Sequence, residues 1–164
     1  MAITRAEFPL PDVDEALTAP FFAAAARDEL AIPRCERCNQ FVWYPKASCP
    51  SCDAPLVWTP VSGRATLFTW TVVRRAFLPA FADRVPFVTA LVALDEDPAV
   101  RLCTYLADVD PDAPLEAGTP LAVTFRDLTF STVPDRAVRV PMFAVVPQTV
   151  DKSTVSGTTG GMRA

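Results

Sequence analysis

Four of the five cysteines fall in two pairs of identical spacing, Cys35-Glu-Arg-Cys38 and Cys49-Pro-Ser-Cys52, with ten residues between the pairs. Each C-x-x-C turn presents two sulfurs to one side, so the two turns together can complete a tetrahedron of thiolates around a single ion. Zinc is the expected metal, although an iron centre of the rubredoxin kind uses the same ligands. The protein would fill every coordination position, so the ion is expected to be structural, with no open place for a substrate. Such turns need a residue tolerant of left-handed φ after the second cysteine. Asn39 and Asp53 stand there, the best choices after glycine. The apolar segment Phe41-Val-Trp-Tyr-Pro45 is expected to pair as a ribbon strand and pack beside the metal. The fifth cysteine, Cys103, reads as a core residue inside a strand.

The chain contains no histidine. This removes the commonest general base, every Ser-His or Cys-His nucleophile pair and every His-ligated metal site. No paired-carboxylate or nucleophile motif replaces them, so an independent enzyme is disfavoured. Paired cysteines point to a metal in a reducing compartment rather than to a disulfide framework. With no apolar run long enough to span a bilayer and no secretory h-region at the N-terminus, a cytoplasmic protein is expected, with no membrane partner.

The net charge of −4 is unevenly spread. Residues 31–90 carry seven basic and three acidic side chains, whereas residues 1–30 and 91–118 are acidic. A basic middle can attract a phosphate-bearing ligand, with Lys46, Arg64, Arg74 and Arg75 as candidates. Ordinary solvated arginines would give the same composition.

The elements that must position these groups follow from pattern. Residues 1–30 form an extended, Pro-rich arm and a short helix, capped by Thr18, opened by Pro20 and ending near Glu29 to Leu30. Its Phe21-Phe22 pair requires burial. Residues 31–60 are the cysteine module. Residues 61–147 hold five runs rich in β-branched and aromatic residues: Arg64–Arg75, Val85–Asp95, Ala99–Val109, Thr119–Thr129 and Ala137–Val146. Strict alternation in the first run would put Thr66, Phe68, Trp70 and Val72 on one face, opposite Ala65, Leu67, Thr69 and Thr71. Five such strands suit a small closed barrel of the OB type, with a sandwich as competitor. Residues 148–164 are polar and Gly-rich, as in a disordered tail. The fold class is therefore mainly β: a short N-terminal helix, a rubredoxin-like zinc ribbon and a five-stranded OB-type barrel.

That order of parts resembles the thiolase-associated zinc-ribbon/OB-fold family, long labelled domain of unknown function thirty-five. The likeness runs over roughly residues 15–147. It is carried by Phe21-Phe22, by Pro33-Arg34-Cys35-Glu-Arg-Cys38, by Trp43-Tyr44-Pro45-Lys46-Ala-Ser-Cys49-Pro50-Ser-Cys52, by Gly63-Arg64-Ala65-Thr66-Leu67-Phe68-Thr69-Trp70 and by Leu115-Glu-Ala-Gly118-Thr-Pro-Leu121. It departs in lacking glycine after both C-x-x-C pairs. The resemblance implies a noncatalytic accessory subunit of a thiolase-like enzyme acting on acyl-CoA thioesters. It includes carbon–carbon bond formation and retro-aldol removal of steroid side chains. The catalytic residues would come from the partner, with two copies of each chain in the complex and the acyl-CoA shared between them. The competing reading is a single-stranded nucleic-acid-binding module with Phe68, Trp70 and Tyr105 as stacking platforms. A sequence pI of about 4.8 weighs against it.

Overall fold

The computed structural model describes residues 8–147; the tail expected at 148–164 lies outside them. Among these residues a single α-helix, α1 (Ala19–Ala25), precedes seven strands: β1 (Ala31–Cys35), β2 (Leu56–Pro60), β3 (Arg64–Val73), β4 (Phe87–Leu94), β5 (Arg101–Tyr105), β6 (Pro120–Phe130) and β7 (Val133–Val145), with a 3-10 turn at Pro79–Phe81 between β3 and β4. Strands β1 and β2 pair antiparallel from Ala31↔Pro60 to Cys35↔Leu56 and form the ribbon. The other five make one sheet in the order β5-β4-β3-β6-β7, antiparallel at every paired edge. Its two outer edges meet through a parallel bridge between Leu106 and Phe143, where the Ala107 N–H donates to the Phe143 carbonyl at 2.8 Å. The sheet thereby curls into a nearly closed five-stranded barrel of the OB type.

The five β runs read from the sequence are the five barrel strands, but the alternation along the first is broken. Ala65 and Leu67 are buried, and the register then slips between Leu67 and Thr69. One extra residue reverses the phase of everything after it. Trp70 and Val72 therefore pack on the same core as Leu67, while Phe68 is expelled to the surface. The exposed ring does not stand bare: the Arg101 guanidinium lies 3.7 Å from its centroid. The grouping of Phe68 with Trp70 is corrected accordingly, and Trp70 is committed to packing.

The barrel interior is filled by Leu67, Val92, Leu94, Leu121 and Phe143, all essentially inaccessible. A second cluster joins Leu10, Ala80, Leu128, Phe130 and Val138 where β6 and β7 meet the N-terminal arm. The arm is therefore anchored by Leu10 rather than merely extended. Helix α1 is the wedge between these clusters. Phe21 packs on the barrel cluster and Phe22 on the second, the two rings meeting edge to face at 5.4 Å. Successive helical residues point about 100° apart, so an adjacent pair can serve two cores. Thr18 precedes the helix but makes no side-chain cap; its hydroxyl turns back to Glu15. The helix also stops earlier than Glu29, because Asp28 takes φ of 59° and the Glu29 N–H returns to the Ala24 carbonyl. That left-handed residue ends the helix and turns Leu30 into the core ahead of β1.

Asp28 has a second task. It accepts from Arg139 Nε at 2.6 Å, and the same guanidinium reaches Asp127 Oδ1 at 3.2 Å, tying the helix end to β6 and β7. The hydrogen bond from Arg139 holds the Asp28 carboxyl below its ordinary value of 3.8. The folded chain thus binds this proton less readily than the unfolded chain. The resulting stabilisation is present above the unfolded value and disappears as pH falls through the folded one. Asp28→Asn keeps a residue suited to left-handed φ and removes the charge. Its urea midpoint is expected to fall below wild type at pH 7 and to converge with it at the lowest pH at which both fold.

Gly63, between β2 and β3, combines φ of 75° with a close approach: a Cβ there would lie 2.2 Å from Val123 Cγ1. Gly63→Ala is expected to destabilise by about 2–4 kcal/mol from backbone strain and overpacking together. Adding Val123→Ala should relieve the overpacking share but not the strain, a separation that a double-mutant cycle by denaturant unfolding reads directly.

Candidate metal centre

The two cysteine turns are built alike. In the first, the Asn39 N–H donates to the Cys35 carbonyl at 3.0 Å and the Cys35 N–H to the Gln40 carbonyl at 2.9 Å. In the second, Asp53 donates to Cys49 at 2.9 Å and Cys49 to Ala54 at 3.0 Å. Asn39 and Asp53 occupy left-handed φ of 60° and 56°, so the turns close without glycine, as their residue types allow. Ser51 Oγ donates to Gln40 Oε1 at 2.7 Å and joins one turn to the other.

These turns bring all four sulfurs within 4.8 Å of one another. Cys35 and Cys52 are 3.5 Å apart and Cys38 and Cys49 are 3.6 Å apart. Four bonds of about 2.3 Å in a tetrahedron require sulfurs about 3.8 Å apart, so the set fits one tetrahedral ion. The Cys38 N–H points at Cys35 Sγ from 3.4 Å. That donation, helped by the Arg37 amide, lowers the Cys35 thiol to about 6. The Gln40 amide acts downward on Cys38 in the same way, but hydrogen bonding with the Cys35, Cys49 and Cys52 sulfurs and burial together outweigh it and leave Cys38 raised to about 11. Negative charge thus gathers first at buried Cys35, with Cys38 at the exposed rim. Phe41 makes one bridge, to Arg34, and the ribbon partner of β1 is β2. Phe41 and Trp43 pack towards the barrel, not the metal site, whose apolar neighbours are Ala54 and Leu56. The segment 41–45 is therefore the ribbon's contact with the barrel.

Family models match two consecutive stretches: the ChsH2 rubredoxin-like zinc ribbon domain over residues 22–57 and the ChsH2 C-terminal OB-fold domain over residues 58–126. The chain belongs to the ChsH2 zinc-ribbon/OB-fold family. Among solved structures it is similar to a chain of one described as "Ltp2-ChsH2(DUF35) aldolase", at 27% identity and TM-score 0.69, covering 82% of this chain and 98% of that one. A DUF35-family protein of unknown function from Sulfolobus solfataricus, at 12% identity and TM-score 0.52 over 80% of this chain and 87% of that one, shares the fold. No curated protein matches.

In this ChsH2-family chain the four candidate cations do not converge. Arg64 opens β3 and pairs with Asp95 at 3.4 Å; Arg74 follows the end of the same strand and pairs with Asp112 at 2.5 Å. Ten residues at about 3.3 Å each separate them, too far to grip one phosphate. Arg75 and Lys46 are exposed and have no carboxylate partner among the described residues. Cys103 is exposed, not core. Its neighbours Leu102 and Thr104 face inward, so strand alternation puts the thiol outside. The Asp28–Arg139 pair escapes sequence reasoning because its members lie 111 residues apart. The cation over Phe68 depends on the unread bulge.

Cys38→Ser is expected to lose the ion measured as one equivalent per chain in the wild type, and to lower the melting temperature. Cys103→Ser should change neither. Metal analysis and thermal unfolding check both, and a serine variant that keeps its ion would count against the four-sulfur set.

Proposed function

We propose that this chain is a noncatalytic zinc-binding subunit of a cytoplasmic thiolase-like enzyme acting on acyl-CoA thioesters, in carbon–carbon bond formation or retro-aldol cleavage. A steroid side chain is one candidate substrate. The observation that carries the reading is the likeness to a chain of an Ltp2-ChsH2(DUF35) aldolase over 98% of that chain. The chemistry of this chain is in keeping with it. There is no histidine, and the four clustered thiolates are a closed set with no position for substrate. Zinc is the metal proposed, because a closed site with no redox task is best served by a redox-inert ion; a colourless protein with stoichiometric zinc is expected, and a red, iron-containing one would overturn that choice.

Support for a protein partner comes from the loop between β3 and β4. Phe77 is 89% exposed there, beside half-exposed Leu78. A large ring left in water at a loop tip is the kind of anchor that interfaces bury. The phosphorylated end of the thioester would meet one of Lys46, Arg64, Arg74 and Arg75, with Lys46 and Arg75 the better placed because neither is engaged by a described carboxylate.

Co-expression with a thiolase-like partner is expected to yield a complex with two copies of each chain, resolved by light scattering after gel filtration. Phe77→Ser should weaken assembly at least tenfold without lowering the melting temperature of the free chain. Recovery of the free chain alone beside several such candidates would sink the assignment.

A further inference from the structure

A cavity of about 380 Å³ opens where the N-terminal arm, α1, the ribbon and the barrel meet. Its floor is Leu102 and Phe143, its walls carry Phe21 and Trp43, and Cys103 and Tyr105 reach it from β5. We infer that this cavity is a binding site for a neutral, largely apolar small molecule carrying one hydrogen-bond acceptor. Three observations lead there. The volume lies within the range of about 300–1,000 Å³ that houses small ligands, at the compact end. No Asp, Glu, Lys or Arg lines it, so an ionised group would enter with no counter-charge in the lining and bear a desolvation cost. The Tyr105 hydroxyl has no hydrogen-bond partner among the described residues, and the Thr89 hydroxyl is already spent on the Thr104 carbonyl at 2.9 Å. Burial pushes the Tyr105 phenol up, so it remains a neutral donor at physiological pH. The walls are also preformed. The Phe21 and Trp43 rings are 5.4 Å apart, and both pack on the barrel core, so closing the cavity would disturb the wedge that holds the modules together. All of its named lining residues come from this chain.

The test uses the full, metal-loaded chain and the neutral fluorophore N-phenyl-1-naphthylamine. Saturable one-site binding is expected, and Cys103→Trp, which fills the cavity from an exposed strand position, should weaken it at least tenfold. Methyl decanoate should displace the fluorophore at least tenfold better than decanoate. Tyr105→Phe should weaken the ester several-fold and leave the fluorophore within twofold. In the wild type, saturating fluorophore should slow alkylation of Cys103 by iodoacetamide at least fivefold, a readout that does not rely on any variant folding. Non-saturable binding, equal competition by the carboxylate, or an unchanged alkylation rate overturns the inference.

Discussion

Two strands of five residues cannot bury enough apolar surface to hold themselves together, and here the ribbon's own interior is little more than Cys35, Cys49 and Ala54. What fixes its shape is the demand of one ion for four sulfurs at the corners of a tetrahedron. The rest of the architecture follows from that constraint. With Cys35 at the end of β1 and Leu56 opening β2, the closed cysteine turns start the ribbon in register, and the register delivers Pro60 to the threshold of the barrel. Ribbon and barrel are then locked side by side by Phe21, Phe41 and Trp43, residues with no part in binding the metal. The metal centre can in this way determine the geometry of a cavity on the barrel wall.

Most of the framework was legible because the physics behind it is local. Ligand type and spacing reveal the sulfur set, since few other arrangements satisfy an ion with four thiolates. Asn39 and Asp53 were legible as left-handed positions for the same reason. The barrel strands announced themselves through β-branched runs between turn residues. What stayed hidden depended on single-residue phase or on distant pairing. Nothing in Leu67-Phe68-Thr69 marks which residue is extra, and the phase error carries Trp70 from the wrong face to the right one. The same limitation misplaced Cys103, whose apolar neighbours suggested burial although strand alternation sets it outward. The basic segment was a true feature of composition, but composition has no geometry, and a strand length separates Arg64 from Arg74.

Chemically the chain is notable for what it gathers and where. Four of its five cysteines are gathered in a closed site, Arg64 and Arg74 are held by carboxylates, and the cavity beside the barrel is lined without charge. Such a distribution suits a component that shapes an environment for chemistry performed elsewhere. The exposed ring of Phe77 and the walled cavity at Trp43 and Tyr105 are separate surfaces, so contact with another protein and accommodation of a small molecule need not compete.

The wedge also orders events in time. Helix α1 is made before every strand it docks against, and the residue that fastens its end, Arg139, follows Asp28 by 111 positions. Until β7 has been synthesised and paired, Phe22 has only part of its pocket and the arm bearing Leu10 has no seat. The ribbon, by contrast, is complete once Pro60 has emerged and can load its ion immediately. Helix α1 therefore settles after the ribbon that follows it, and a ribosome stalled before β7 would hold a finished metal module beside a helix with nowhere to dock.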